Sequence, residues 1–586
     1  MSPDQTDVPT PARTGATRRG LFTVVGPIVL ILLWMTLQLW GLGREPFHTH
    51  GEAREALVVQ QMTHHGGWIL PLRDGPTGVE VPSKPPLFHW MGALISLRHR
   101  ATDEWSIRLP SAGLSLAGDL VVYAAGTALW GPTAGFIGAT TVLTSFEWNR
   151  AATAARVDMT LTFGLLIAFL ALLFFMRSGS SRWLVPFYAG MAFAALAKGP
   201  IGVVLPGAQL VIMCALERDL ATVRRMRLVR GLIAVAVVVG AWYVLALLTG
   251  GVAFFAKQIL NENIYRFAEA NEYEGGHRHG ALYLLGGLAA GWLPWTLFVP
   301  GVIVALWQRR RELAATDPRV YLLSWIVVVF GFYAVAVSKR SVYLLGLYPA
   351  LGLLVGWWWS TLIEHQDGGD PRWLRATLRP IAVLAAAVTA LLLLVVIVEI
   401  ARPGAAEALI TRVKGTPPDV LLNARWVAAG LRRFGTVSVI LLAAGSAALW
   451  SLSRTLGAGR WTGAFGSTLV AFAAIGSVVK QIVMPEIARR ETYRDSMPAI
   501  RRVVGESVGL FFYRAFDYGA VFYWGDHIVV YSGDLSIDAP RYLLVPRNEW
   551  NAVEAAQGER FESVTVPGLD TDDDPRRLLL VKRRDG

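Results

Sequence analysis

The sequence predicts an all-α polytopic membrane domain of about thirteen transmembrane helices, followed by a small C-terminal α/β domain. Three observations lead there. Charged residues make up 17% of the 586 and hydrophobic ones 54%, whereas soluble proteins carry about 25% charged residues. Apolar runs long enough to span a bilayer, or nearly so, recur from residue 21 to residue 484. From 485 onward they give way to short mixed segments.

The formal charge of +12 would suggest nucleic acid in a soluble chain. Here it marks cytoplasmic loops and anionic lipid head groups, so the lipid bilayer is the expected partner and nucleic acid is not. The single cysteine, Cys214, sits in an apolar run and supports neither a disulfide framework nor a cysteine metal site.

Residues 1–20, rich in Pro, Thr and Ser with Arg13, Arg18 and Arg19, read as a disordered cytoplasmic tail. The run at 21–43 is too long for a signal-peptide core and is expected to stay as the first span. A polar excursion from Arg44 to Pro110 follows and is read as a large first periplasmic loop. In it Ser83-Lys84-Pro85-Pro86 should present an ammonium group on extended backbone, and Leu87–Leu97 should lie as an amphipathic helix at the membrane surface. Further runs fall at about 111–130, 133–150, 159–176, 183–198, 200–216, 229–249, 281–306, 320–337, 342–363, 380–400, 434–453 and 462–484, which bounds the membrane domain at 21–484. Gly199-Pro200 either breaks a hairpin or kinks one helix. Arginine-rich short loops, such as 218–230, place the N-terminus inside, and an odd helix count then places 485–586 outside. In that last domain Val508–Arg514, Ile528–Tyr531, Tyr542–Val545 and Leu578–Lys582 read as strands, and Asn548–Ala556 as a helix opened by Asn548.

The chemically loaded stretches all fall on the outer face. Asp158 opens a span, Lys198 is flanked by apolar residues, and Asn263 and Arg266 share a helix face that suits a phosphate. Lys339 and Arg340 sit in a very short outer loop, against the positive-inside bias, which suggests an anionic ligand there. Cations and a few carboxylates on one membrane face suit an amphiphile with a phosphate head and an apolar tail. No glycine-rich nucleotide loop is present.

The ordered motifs Glu52-x-Arg54, K-P-P-L-F-H-W (84–90), R-L-P-S-A (108–112), V-D-M-T-L-T-F (157–163), A-K-G-P (197–200), E-N-I-Y-R-F (262–267) and K-R-S-V-Y-L-L-G-L-Y-P-A (339–350) resemble those of polyprenyl-phosphate-dependent glycosyltransferases of the GT-C class. Aminoarabinose transferases and protein O-mannosyltransferases are the groups most alike. The resemblance covers roughly residues 21–365. It implies a polyprenyl-phosphate sugar donor, inverting transfer on the periplasmic face of a bacterial inner membrane, and a first-loop acid near the reacting centre. Glu52 matches the second acid of the family's Asp-Glu pair and Arg54 the arginine after it. Lys84 matches the lysine that faces the donor phosphate, and Asp158, Arg266 and Lys339 match later site residues. Arg54, Lys84, Arg266, Lys339 and Arg340 are thus the expected phosphate-binding set. Lys198, Glu262, Asn263 and Tyr343 complete the candidate site. The chain departs from the pattern at Gly51, where the family has Asp, and at Glu55, where it has an aromatic. The family's usual base is therefore absent, and Glu52 or Asp158 is expected to replace it.

His48, His50, His277 and His279 (H-T-H and H-R-H) raise a divalent metal as a candidate cofactor, although their spacing sets no full ligand shell. The expected acceptor is a glycolipid, a protein or another polymer. A flippase for the same lipid, using the same cations without a base, is the alternative reading. A purely structural membrane protein would not need charges gathered on one face.

Overall fold

The computed structural model describes residues 12–265, 279–364, 371–411, 418–505, 509–535, 539–569 and 577–584. In chain order its first elements are α1 (Ala12–Trp34), α2 (His50–His65), the hairpin β1–β2 (Arg73–Gly75, Gly78–Glu80), α3 (Leu87–His99), α4 (Glu104–Trp130), α5 (Pro132–Leu143), α6 (Phe146–Ala152), α7 (Val157–Ser178), α8 (Leu184–Lys198), α9 (Ile201–Glu217), α10 (Ala221–Arg225) and α11 (Leu228–Phe254).

Every predicted apolar run contains a helix, but the count of about thirteen crossings is not matched by length and hydropathy. Among the described residues, 8 helices are long and apolar enough to cross a membrane, or 9 if a bent pair is one span. That pair, Ala281–Gly291 and Trp295–Gln308, turns by 101°, so the predicted single span at 281–306 is broken. Pro294 sits at the break, where it lacks the N–H that would continue the ladder. With several shorter apolar helices, these make the chain a multi-pass membrane protein.

Helices approach closely where side chains are small. A Cβ on Gly164 of α7 would lie 2.7 Å from the Ala194 nitrogen of α8, so this contact tolerates only glycine. Gly199 (φ 81°) ends α8, and the chain reverses into α9, which settles the Gly199-Pro200 question as a hairpin. Trp295, Phe298, Trp359 and Phe465 pack edge-on, stacked or tilted in the bundle core, while α11 and Arg372–Ala401 turn many Leu and Val outward, as lipid-facing helices do.

The stretch read as a loop at 44–110 is largely helical. Helix α2 opens on Thr49, whose side chain accepts from the Glu52 N–H at 3.3 Å. Helix α4 starts at Glu104, seven residues before the predicted run, because Asp103 and Ser106 form a reciprocal capping box. Helix α3 is not a surface-lying amphipath throughout: Phe88, His89, Gly92 and Ala93 are buried, and Leu94 and Leu97 are its exposed apolar residues.

The C-terminal domain is a five-stranded sheet of order β4-β3-β5-β7-β6, from Leu510–Tyr513 (β3), Val529–Tyr531 (β4), Tyr542–Pro546 (β5), Phe561–Val564 (β6) and Leu578–Arg583 (β7). Strands β4, β3 and β5 are parallel, while β7 is antiparallel to β5 and β6. The helix expected to open on Asn548 is Arg547–Gln557, entered from β5 through Pro546 without a side-chain cap. Phe47, Leu57, Val59 and Phe88 share one core with Phe512, Phe522 and Leu544, so this domain is packed onto the α2–α3 segment. Tyr523 fastens the junction: its hydroxyl accepts from the Phe47 N–H (2.8 Å) and donates to Glu104 (2.7 Å).

Candidate active site

Helix α2 organises the site because its first two turns carry Glu52, Arg54 and Glu55, each engaged with different partners. Glu52 points inward and is 5% exposed. Arg108 grips both its oxygens, Nε to Oε1 at 2.9 Å and Nη2 to Oε2 at 3.1 Å, and the Ala155 N–H adds a bond at 2.8 Å. Arg108 also donates to the carbonyls of Leu42 and Glu45. Burial pushes the Glu52 pKa up, but the Arg108 charge and these bonds outweigh it and hold the carboxyl below its ordinary value.

Gly51, where the resemblance leads one to expect Asp, faces Arg156. A Cβ there would lie 2.0 Å from Arg156 Nη1, so the guanidinium fills the volume the missing side chain would take. One turn on, Arg54 reaches Glu55 with Nη2 at 2.7 Å and Nε at 3.1 Å. Glu55 also accepts from His89 (2.8 Å), a fully buried ring. Burial opposes ionisation of Glu55, yet Arg54 and His89 hold its pKa well below the usual value. The charge of Glu55 in turn raises Arg54, to which Glu262 adds. Glu55 thus takes up the arginine where the family has an aromatic.

Lys84 donates to Glu262 at 2.6 Å, and both side chains are largely buried. Glu262 belongs to a π-helical stretch, Phe255–Tyr265, that continues α11 past a break at Gly251. Asn263 lies on the same stretch. Arg266 and His277 fall outside the described residues, so the predicted Asn263–Arg266 phosphate grip does too.

Asp158 opens α7 with Oδ1 2.6 Å from Lys198 Nζ and Oδ2 3.4 Å from Arg156 Nε. Lys198 lies 4.6 Å over the ring of Tyr343, which stacks on Tyr333. Lys339 is buried, and its ammonium donates to the Ala336 carbonyl at 2.5 Å. Arg340 follows it as the N-cap of the 3-10 turn that carries Tyr343.

Two apolar cavities flank these charges. One, about 650 Å³, lies between α8, α9 and α11, with Ala195, Gly199, Val203, Tyr243 and Ile259 in its wall, one helix turn from Lys198 and Glu262. The other, about 610 Å³, runs beneath α6 and the helices Arg372–Ala401, Gly435–Gly457 and Trp461–Val478. Its polar end carries Glu45, His48, Glu52, Arg150, Arg156 and Lys480. Lys480 sits on a π-helical turn and donates to the Leu37 carbonyl and, at 3.3 Å, to Asn149 Oδ1.

Arg108, Arg156, Glu45, Arg150 and Lys480 were not legible as site residues. Arg108 stands in the R-L-P-S-A motif, but its partner lies 56 residues away. An ionisable residue inside an apolar run was the signal available for Lys480. As for a metal, no three His, Cys, Asp or Glu side chains gather among the described residues. His48 stands beside Glu45, His50 packs edge-on to Tyr518, and His279 stacks on Tyr283.

The architecture is of the GT-C fold type, with charged groups gathered where the first long loop and a C-terminal domain meet the helices. Residues 83–258 match the family model described as dolichyl-phosphate-mannose-protein mannosyltransferase. The chain is similar to undecaprenyl phosphate-α-4-amino-4-deoxy-L-arabinose arabinosyl transferase 2 of Pseudomonas fluorescens, 26% identical over 346 residues, 56% of each chain. It is equally similar to the corresponding transferase of Yersinia pestis, at 26% over 344 residues, 56% of this chain and 58% of that one. The match thus spans little more than half the length of these relatives. The crystal structure of ArnT from Cupriavidus metallidurans bound to undecaprenyl phosphate superposes with a TM-score of 0.68 and 19% identity, covering 97% of this chain and 98% of that one. The resemblance read from the motifs is borne out, and the fold is shared over nearly the whole chain.

Proposed function

We propose that this protein moves a sugar, with inversion, from a polyprenyl-phosphate carrier to an acceptor on the periplasmic side of a bacterial inner membrane. The observation that carries this reading is an apolar cavity whose polar end carries Glu52 of α2 with Arg150, Arg156 and Lys480, and a second apolar cavity one helix turn from Lys198 and Glu262. Each cavity suits a lipid tail, and a transferase joining two amphiphiles needs two. The donor belongs beside Lys84, Lys198 and Arg54, whose cations suit a phosphate that gains negative charge as the sugar leaves. Its tail lies in the cavity by α8 and α11. Lys84 is paired with Glu262, so a donor phosphate must share or displace that carboxylate. The acceptor, a lipid A-like glycolipid in this reading, enters the other cavity. The relatives named as arabinosyl transferases and the ArnT complex with undecaprenyl phosphate support this choice of donor class.

Mass profiles of membrane lipids with and without the gene test the assignment. Deletion should remove a sugar increment from an acceptor and accumulate the polyprenyl-phosphate sugar; unchanged profiles would reject it. In a purified assay Lys84→Ala should lower turnover by about 10² or more, the scale of one lost electrostatic stabiliser.

A further inference from the structure

We infer that His48, bonded through Nδ1 to the Pro46 carbonyl and beside Glu45, is the general base that takes the acceptor proton; this rests on the transferase reading above. Neither expected carboxylate is available for that task. Both oxygens of Glu52 are held by Arg108, and one also accepts from Ala155. Both oxygens of Asp158 face cations, Lys198 and Arg156. The family's acid position is Gly51, and the space beside it belongs to Arg156.

His48 differs from both. It lies in the wall of the 610 Å³ cavity beside Thr49, Glu52 and Arg156, three residues before the glycine that replaces the acid. Its Nδ1 lies 3.3 Å from the Pro46 carbonyl and 3.5 Å from Glu45 Oε1. Both are acceptors, so Nδ1 carries the proton in the neutral ring. Nε2 is then the nitrogen with the lone pair. A carboxylate behind Nδ1 also stabilises the imidazolium formed when Nε2 takes a proton, the same arrangement that orients a catalytic histidine elsewhere. The charged residues that share the cavity wall with this ring are Glu45, Glu52, Arg150, Arg156 and Lys480.

The step balances without a metal or redox partner. An acceptor hydroxyl gives its proton to His48 Nε2 while its oxygen bonds to the anomeric carbon. The bond from that carbon to the phosphate oxygen breaks, and its electron pair stays on the polyprenyl phosphate. His48 then releases the proton to water. Arg156 sits between the two halves, touching the acceptor cavity on one side and Asp158 on the other.

The test uses purified full-length protein added to membranes of a strain lacking its gene, which hold both donor and acceptor, with the glycosylated product read by mass spectrometry. His48→Gln should lower the rate by about 10² or more, the usual contribution of a general base. A fall in rate on acidification, expected of wild type, should flatten in this variant. Added imidazole should restore part of the rate to His48→Gly. Glu45→Gln should lose less and shift the acid limb. Unfolding temperature and binding of undecaprenyl phosphate, measured on every variant, separate a lost base from a lost fold. A fully active His48→Gln, or a dead Glu45→Gln beside an active His48→Gln, overturns the assignment of the base and leaves the transferase reading intact. A wild type that transfers nothing to these membranes overturns both.

Discussion

Glu52 and Asp158 are the same kind of residue in the same kind of place. Both are buried carboxylates at the start of a helix, both are paired with arginine, and both sit where the motif resemblance marks a site. Their partners differ in what else they hold. Arg108, on Glu52, spends its remaining nitrogen on backbone carbonyls of the segment leading into α2, and is itself 2% exposed. Arg156 and Lys198, on Asp158, face a cavity and an aromatic ring respectively. The first pair is a clamp that fixes the shape of the site; the second is a set of charges a ligand can reach. Burial alone does not tell a scaffold carboxylate from a working one.

Breaking the clamp should give the largest effect. Arg108→Ala leaves Glu52 buried against a single N–H, and removing one partner of a buried pair costs about 3–5 kcal/mol. Thermal unfolding in detergent should show that loss. Replacing both partners by apolar residues (Arg108→Met with Glu52→Leu) should recover much of it. An Arg108→Ala protein as stable as wild type would mean the pair clamps nothing.

Asp158→Asn should cost less stability, about 1–2 kcal/mol, because Lys198 keeps the Tyr343 ring and Arg156 is partly exposed. Sugar transfer should fall at least tenfold, since both cations lose the group that aims them. A stability loss matching that of Arg108→Ala, measured side by side, would erase the distinction between the two carboxylates.

The clamp is reinforced from outside by Tyr523, which bonds the Phe47 N–H and Glu104 on either side of it. Tyr523→Phe removes the hydroxyl shared by those two bonds and should cost about 1 kcal/mol. The loss should show as faster proteolysis between the C-terminal domain and the bundle, with the helices themselves unaffected.

Most of the fold is legible because it is written in local patterns: each apolar run holds a helix, although the run at 281–306 is broken, and the strand-like segments after 485 form strands, while Gly199-Pro200, open between hairpin and kink in the sequence, is a hairpin. The errors came where a local signal was overlooked or a distant partner decides. Thr49-His50-Gly51-Glu52 has the spacing of a capping box and does start α2, although the polar residues around it mask the apolar Ala53, Ala56, Leu57 and Met62. The Glu52 side chain then turns to Arg108 rather than back to the cap, which no local pattern reveals. Asn548 looked like a cap because asparagine favours that position, but the strand feeds the helix through Pro546. The candidate site was legible as a list of charges, since the motifs lie in order. Which charge faces which cavity depends on contacts between distant helices, and so Arg156 and Lys480 went unseen.

The smallest expected effect is a pH dependence that reads the clamp directly. Glu52 has its pKa lowered in the folded protein from an ordinary value of 4.5, because Arg108 and the Ala155 N–H outweigh burial. A group depressed in this way adds stability that is present above its unfolded value and is lost as pH falls through its folded value. For one carboxylate the loss relative to neutral pH is at most about 0.2 kcal/mol at pH 5 and about 0.8 kcal/mol at pH 4. Glu55, also depressed, titrates in the same window, so wild type alone does not isolate Glu52. Glu52→Gln does: it removes one titrating group while Glu55 keeps its Arg54 and His89 partners. Unfolding temperatures of both proteins at pH 7, 5 and 4 should therefore converge slightly on acidification, with wild type losing the larger share. Parallel pH curves would show that Glu52 is no more strongly held than a carboxylate in water, and the clamp would have to be sought elsewhere on α2.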